Sequence, residues 1–495
     1  MSYTHPDPHR SLEGISRPKS ARAKPRHKVV KSLGSTASRS AVTNSNLPKS
    51  RGISATGPAA PRRGLRQFFS HPPSAKQAAL FGLLVIALTG VLLVVRLLLT
   101  ANKIIVRDDG AAALTEEVDP SLLKGEGDGR VNVLLIGIGG DGHISGDLAD
   151  SIMIVSVDPI SKDVAMLSVP RDLYVKVGQF GSAKINAAHA YGEQYNYPGG
   201  GPKLLEQTAA QTFGVPIHYF VRLDFEAFRK AVDIMDGIDV EVKEAINDYA
   251  YPDENLSGYQ PFVLSAGPQH LDGATALKFA RSRYTTSDFD RGKRQQQILA
   301  AIKDKALSIG TLVNPLRINS LLVTAGSHVR TDLRVDEMLR LYELAKQVRP
   351  EQVSQATLDT APENYLTSAN IGGASVLVPT SGDFGQIRRF VRKLMPDGYL
   401  KREQARVTVL NGTNQVGLAE QTADILRSFG YNVVRVDNAD RFDYERTQLV
   451  DHSGGAMRYT LHYLEKRFGT ISQSKPSDPN TDITIIVGNS YTPTE

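Results

Sequence analysis

The 495-residue chain has no cysteine and no tryptophan, and aromatic residues make up only 7% of it. Without cysteine there is no disulfide framework, no Cys-ligated zinc or iron–sulfur cluster, and no thiol nucleophile. Acidic residues are scarce at the start: residues 1–75 hold only Asp7 and Glu13 against fourteen Lys and Arg, a net +12. The whole chain carries +6, so everything after the tail is net −6, and the pI near 9.1 belongs to the tail alone. What is present is ordinary for folded protein: 41% hydrophobic, 22% charged, 42 Gly and 26 Pro. These fractions exclude collagen, coiled coil and a wholly disordered chain, and the length allows about two or three domains.

The first 75 residues are rich in Ser, Pro, Lys and Arg without apolar periodicity, which predicts a disordered basic tail. Residues 78–95 then run without a charge, enough for a helix of about 27 Å. With its flanks the segment predicts a transmembrane helix over 76–101. Lys and Arg crowd its N-terminal side, including Arg62, Arg63, Arg66 and Lys76, while Asp108, Asp109, Glu116 and Glu117 follow it. The positive-inside bias predicts a cytoplasmic N-terminus, a single pass through the cell membrane, and an extracytoplasmic remainder. The tail is expected to lie near membrane lipid, and nucleic acid is not an expected partner.

Residues 102–129 read as a linker. A continuous apolar run, Val131-Asn-Val-Leu-Leu-Ile-Gly-Ile138, predicts a buried strand, ending in the glycine-rich loop Gly139-Gly-Asp141-Gly-His143. Strands over 150–157 and 164–169 follow, the second stopped by Pro170-Arg171-Asp172. Helices over 201–213 and 225–235 flank a strand over 218–223, and residues 238–263 read as strand and loop. The segment richest in chemistry is Arg281-Ser-Arg283, followed by Asp288, Asp290, Arg291, Arg294 and Gln295. An extended stretch over 279–284 would put Arg281 and Arg283 on one face. A helix opened near Ser287 would align Asp288, Arg291 and Gln295. Such a surface suits an anion, because guanidinium forks match phosphate oxygens in pairs. By spacing alone, the same residues fit a solvated ladder of ion pairs better.

Their order along the chain decides more. The strand ending in Gly-Gly-Asp-Gly-His, then Asp150-Ser-Ile-Met, Leu167-Ser-Val-Pro-Arg171-Asp172, Lys184-Ile-Asn-Ala-Ala188, and finally Arg281-Ser-Arg283 with Asp288-x-x-Arg291-x-x-Arg294-Gln295, resembles the LytR–CpsA–Psr family of envelope glycopolymer ligases. The resemblance implies a membrane-anchored α/β/α sandwich with a mixed central sheet over 130–396. It further implies transfer of a polyprenyl-pyrophosphate-linked glycan donor to a peptidoglycan acceptor, with Mg²⁺ or Mn²⁺. Carried over, Arg171, Arg281, Arg283 and Arg291 would bind the pyrophosphate, with Arg294 and Gln295 assisting. Asp150 would hold the metal, with Asp141 or Asp147 as a second ligand, and Asp288 would orient Arg291 or the cation. One departure stands out: the family commonly has Arg-Ser-Asp-Thr where this chain has Leu148-Ala149-Asp150-Ser151. That loss of an arginine keeps open a lipid-pyrophosphate binder or a hydrolase. An envelope-gene regulator acting through the tail is the other alternative, though no helix-turn-helix pattern is visible there.

After a short linker, 397–403, a second unit over 404–490 reads β-α-β-α-β. Its opening, Val407-Thr-Val-Leu-Asn411-Gly412-Thr413, is similar to the LytR-type C-terminal accessory domain. Glycan or partner binding is the role expected of it, and nothing in it suggests catalysis.

Overall fold

The structure, a computed structural model, describes residues 111–115, 117–143, 145–252, 258–282, 288–307, 326, 328–358 and 364–493. The expected tail and membrane span, and Arg283, lie outside these. Among the described residues no helix is long and apolar enough to cross a membrane.

Strand β1 (Val131–Ile138) lies inside a six-stranded mixed sheet with β2 (Ala149–Val157), β3 (Val164–Val169), β4 (Tyr219–Asp224), β5 (Val329–Thr331) and β6 (Val353–Thr357). The order is β5-β4-β1-β2-β3-β6, with β1/β4 and β3/β6 parallel and the other neighbours antiparallel. Its central position explains why β1 is a continuous apolar run. Side chains alternate across a strand. Leu134, Ile136 and Ile138 pack on one face with Leu204, Leu205 and Phe213 of the helix Gly200–Phe213 and with Ile387 and Val391 of the helix Gly385–Leu394. Leu135 and Gly137 point to the other face, toward α1 (Phe225–Ile234), α2 (Gly273–Arg281) and α3 (Asp288–Leu307). The result is the expected α/β/α layering.

The C-terminal unit holds a five-stranded sheet, in which β7 (Arg406–Asn411) pairs in parallel with both β8 (Asn432–Asn438) and β11 (Ile483–Val487). The strand β9 (Gln448–Asp451), which the sequence outline omitted, runs antiparallel to β11, and the two-residue β10 (Gln473–Ser474) borders it. The helix Leu418–Phe429 ends at Gly430, whose φ of 95° is the left-handed closure a side chain would oppose.

Both stretches expected to be linkers are built into the core where described. Ala113, Val118 and Leu123 are buried with Tyr399, Tyr459 and Leu464 of the C-terminal unit. Tyr399 and Tyr459 stack at 4.0 Å, and the Tyr459 hydroxyl donates to the Val118 carbonyl at 2.8 Å. Asp397 is buried, and its carboxylate accepts from the backbone N–H groups of Gly127, Gly129, Tyr399 and Leu400. These carboxylates and carbonyls satisfy backbone and side-chain donors inside.

Asp332, just after β5, is a buried acid with one oxygen left unsatisfied. One oxygen accepts from Phe220 N–H at 2.8 Å, and the other has no partner among the described residues. Burial, and then the nearby Glu206 carboxylate, raise its pKa from 3.8 to about 7. With the native value above the unfolded one, its favourable contribution is full below the unfolded pKa and lost as pH rises through about 7. Asp332→Asn should therefore raise the urea midpoint at pH 8 more than at pH 5. Equal shifts at both pH values would show that the carboxyl's ionisation is not the cause.

Candidate functional site

Between the sheet and α1–α3 lies a cavity of about 500 Å³. Its floor is Leu135 and Gly137 of β1 and Ser151 and Met153 of β2. The β1/β2 register pairs Gly137 with Ser151 but Ile138 with Ala149, leaving Asp150 as an extra residue. A bulge of this kind breaks alternation and re-aims a side chain, so Asp150 and Ser151, though adjacent, both line the cavity. Gly137 permits the close pairing, since a Cβ there would stand 3.0 Å from that of Ser151.

Arg171 follows β3 after Pro170, and its Nη1 donates to Asp150 Oδ1 at 2.6 Å. Arg281 is the last residue of α2, a helix capped at its start by Asp272, which accepts from Thr275 N–H. The extended conformation expected for residues 279–284 is thus corrected over its described part. Capping and the buried Ala276, Phe279 and Ala280 keep the chain helical through Arg281. Its guanidinium carbon lies 4.3 Å from the Phe225 ring centroid and 5.6 Å from that of Tyr251, and Nη1 donates to the Tyr251 hydroxyl at 3.3 Å. Phe225 and Tyr251, which sequence patterning did not single out, hold the arginine between aromatic faces. The edge of His143 meets Phe225 at 5.1 Å, and burial, then Arg281, keep this imidazole below its ordinary pKa.

Asp288 opens α3, the helix that supplies Arg291 and Gln295 to the cavity. Ser151 Oγ donates to Gln295 Oε1 at 2.8 Å. Continuing along the same face come Ile298, Leu299 and Ile302. With a rise of 1.5 Å per residue, about 16 Å separates the level of Arg291 from that of Ile302. The cavity is therefore sorted lengthwise. Its polar end gathers Asp150, Arg171, Arg281, Arg291 and Gln295, and its apolar length adds Phe228 and Leu277.

Three expected residues do not join them. Arg294 is buried on another face of α3, where Nε donates to the Phe279 carbonyl at 3.0 Å and Nη2 to that of Ser282. Its guanidinium closes the end of α2 and does not line this cavity. Asp141 is exposed and Asp147 gives its carbonyl to His189 Nδ1 at 2.7 Å; neither lines the cavity. Among the described residues no group of three or more His, Asp or Glu is placed around a metal position.

The LytR_cpsA_psr family model matches residues 92–389. The chain belongs to this family. A second model, described as LytR cell envelope-related transcriptional attenuator, matches residues 404–491. The polyisoprenyl-teichoic acid–peptidoglycan teichoic acid transferase TagU of Oceanobacillus iheyensis is 31% identical over 271 residues, 51% of this chain and 78% of that protein. The cell wall biosynthesis protein LcpA of Corynebacterium glutamicum is 24% identical over 389 residues, 71% of this chain and 72% of its own. Among solved structures, the family protein YwtF (TagT) with bound octaprenyl pyrophosphate lipid is 23% identical, covers 59% of this chain and 98% of its own, and has a TM-score of 0.41.

The cavity predicts graded losses. Phe225→Leu keeps it apolar but removes the aromatic face beneath Arg281, which is worth about 0.5–1 kcal/mol, a factor of about two to five. Arg281→Ala removes the charge itself and should weaken binding by more than about tenfold. Titration calorimetry with farnesyl pyrophosphate checks the ranking, and equal effects of the two variants would contradict the stacking role.

Proposed function

We propose that the protein is a phosphotransferase that moves a glycopolymer from a polyprenyl pyrophosphate carrier to a sugar hydroxyl of peptidoglycan. The observation that carries this is the lengthwise sorting of one cavity into a polar end and an apolar length. A polyprenyl pyrophosphate has the same division, with a dianionic to trianionic headgroup on a long hydrocarbon. The names of the relatives, a teichoic acid transferase and a cell wall biosynthesis protein, agree with that chemistry.

In this reading Arg171, Arg281 and Arg291 bind the diphosphate oxygens and Gln295 donates from the same side. The acceptor hydroxyl attacks the phosphorus that bears the glycan. A new O–P bond forms, the bridging P–O bond breaks, and polyprenyl phosphate leaves with the electron pair. The hydroxyl proton passes to solvent or to the departing phosphate. Such a transfer needs positioning and charge stabilisation more than a covalent nucleophile, in keeping with the absence of cysteine. Ile298, Leu299, Ile302 and Phe228 would receive the prenyl chain nearest its headgroup.

A hard divalent cation fits the polar end. Asp150 is about one-third exposed, and only one of its oxygens is engaged by Arg171. Mg²⁺ is commonly held by one or two carboxylates together with phosphate oxygens. When bound by Asp150 and the diphosphate, such a cation would neutralise charge on the leaving group. We further propose that residues 76–101 anchor the chain in the cell membrane with the folded part outside, beside a lipid-linked donor.

The reading is tested with purified lipid-linked glycan and peptidoglycan. Arg171→Ala and Arg281→Ala should abolish transfer while leaving the unfolding midpoint nearly unchanged, and EDTA should lower transfer by roughly tenfold or more. Full activity of both arginine variants would end the proposal. Glycan released onto water instead of peptidoglycan would make the protein a hydrolase.

A further inference from the structure

α3 has a second working face. Opposite the lipid-sized cavity lies a groove of about 430 Å³, bordered by Lys243 and Glu244, by Lys293 and Gln297 of α3, and by Gln355 and Thr357 of β6. Between the two lies a gap of only about 20 Å³, lined by Asp150, Ser151, Arg291 and Gln295 on the cavity side and by Thr357 on the groove side. α3 can approach the sheet this closely because of Gly292, where a Cβ would stand 3.0 Å from Ser168 Cβ and 3.4 Å from Thr357 Cγ2. Gln296 fixes the approach, donating to the Ala356 carbonyl at 2.8 Å and to Ser168 Oγ at 3.0 Å. The Thr357 hydroxyl is buried at this junction without a hydrogen-bond partner among the described residues.

We propose that this groove is the subsite for the acceptor sugar strand; the inference rests on the transfer reading above. The first argument is direction. Phosphoryl transfer places attacking and leaving oxygens roughly in line. If polyprenyl phosphate leaves along the apolar cavity, the attacking hydroxyl must come from the far side of Asp150, Arg291 and Gln295, which is where the groove lies. The second argument is chemistry. Amide side chains both donate and accept, as sugar hydroxyls do, and the rim offers Gln297 and Gln355. Its lining carries both signs, with Lys243 beside Glu244, Lys293 3.5 Å from Asp290, and Arg294 turned to the Phe279 and Ser282 carbonyls, so no single-sign field favours a polyanion. An uncharged stretch of sugar suits it better than a phosphate-rich polymer.

The paired variant Gln297→Ala/Gln355→Ala tests the assignment in the full chain in detergent. A soluble peptidoglycan tetrasaccharide, followed by saturation-transfer NMR and calorimetry, should bind at least fivefold more weakly. In the transfer assay the KM for acceptor should rise with the KM for donor unchanged. Farnesyl pyrophosphate should bind as in the parent, which also reports that the variant is folded. Unchanged tetrasaccharide binding and acceptor KM would overturn the assignment, as would loss of farnesyl pyrophosphate affinity. Weaker binding of glycosylated lipid donor with unaltered tetrasaccharide binding would give the groove to the donor's glycan and overturn it equally. Tetrasaccharide binding that depends on the two glutamines in a chain without transferase activity would sink the transfer reading and leave the groove standing.

Discussion

The polar end of the cavity turns on one irregularity, the bulge that makes Asp150 an extra residue opposite β1. In a regular ladder, Asp150 would follow Ala149 and Ser151 in strict alternation and face the helices on the other side of the sheet. There it would be a buried, unpaired carboxylate among Leu134, Ile136 and Leu204, a costly arrangement. The bulge removes that conflict and brings the carboxylate to Arg171 and to the cavity. Everything polar near it is then tied in turn: Ser151 to Gln295, and Gln295 back to the end of α2 through the Ala280 carbonyl at 3.4 Å. The arginines come from two distant stretches of chain, Arg171 from one and Arg281 and Arg291 from the other. They converge because the C-terminal ends of β1 and β3 and the meeting point of α2 and α3 all lie at the same end of the sheet.

A comparable economy links the folded units. The segment before β1 packs against the C-terminal unit before the chain enters the six-stranded sheet, and Asp397 gathers N–H groups from both sides of that passage. Glu126 adds a bond from Arg467 Nε at 2.6 Å and one from the Tyr431 hydroxyl at 3.0 Å. From the other direction, Arg392 of the helix Gly385–Leu394 stacks at 3.9 Å on Phe429 and donates to Ser428 Oγ. With the approach to β1 held from two sides, the C-terminal unit is a structural partner of the six-stranded sheet.

Much of this was legible in the sequence, for reasons that can be named. β1, β2 and β3 are central strands, and burial on both faces leaves a continuous apolar signature that local reading detects. The convergence of Arg171, Arg281, Arg291, Gln295 and Asp150 was implied by family resemblance, and the cavity brings these five together. Failures occurred where tertiary context overrode local pattern. Residues 279–281 have no strong period, and what commits them to α2 is the cap at Asp272 together with the Gly273 N–H bond to Asp233, forty residues earlier. Arg294 shares the charge of its neighbours, and only packing shows that its donors close a helix end. The strap before β1 is short and aperiodic, so no local pattern shows that Ala113, Val118 and Leu123 are buried against the C-terminal unit. Phe225 and Tyr251 look like core aromatics in any pattern; their role depends on an arginine fifty-six and thirty residues away.

What most favours a lipid-linked diphosphate is the make-up of α3, which is not amphipathic in the ordinary sense. A surface helix has one apolar stripe and one solvated face. This one buries polar residues as well: Arg291, Arg294 and Gln296 are each less than one-tenth exposed. Arg294 and Gln296 spend their donors on backbone carbonyls of α2, β3 and β6, and so set the helix against its neighbours. Once the helix is fixed, Arg291 and Gln295 fall on the face that continues into Ile298, Leu299 and Ile302. A small soluble anion would need the first two and gain nothing from the other three. A free hydrocarbon would need the last three and be repelled by the desolvation of the guanidinium groups. Only a ligand with both parts covalently joined uses the whole face.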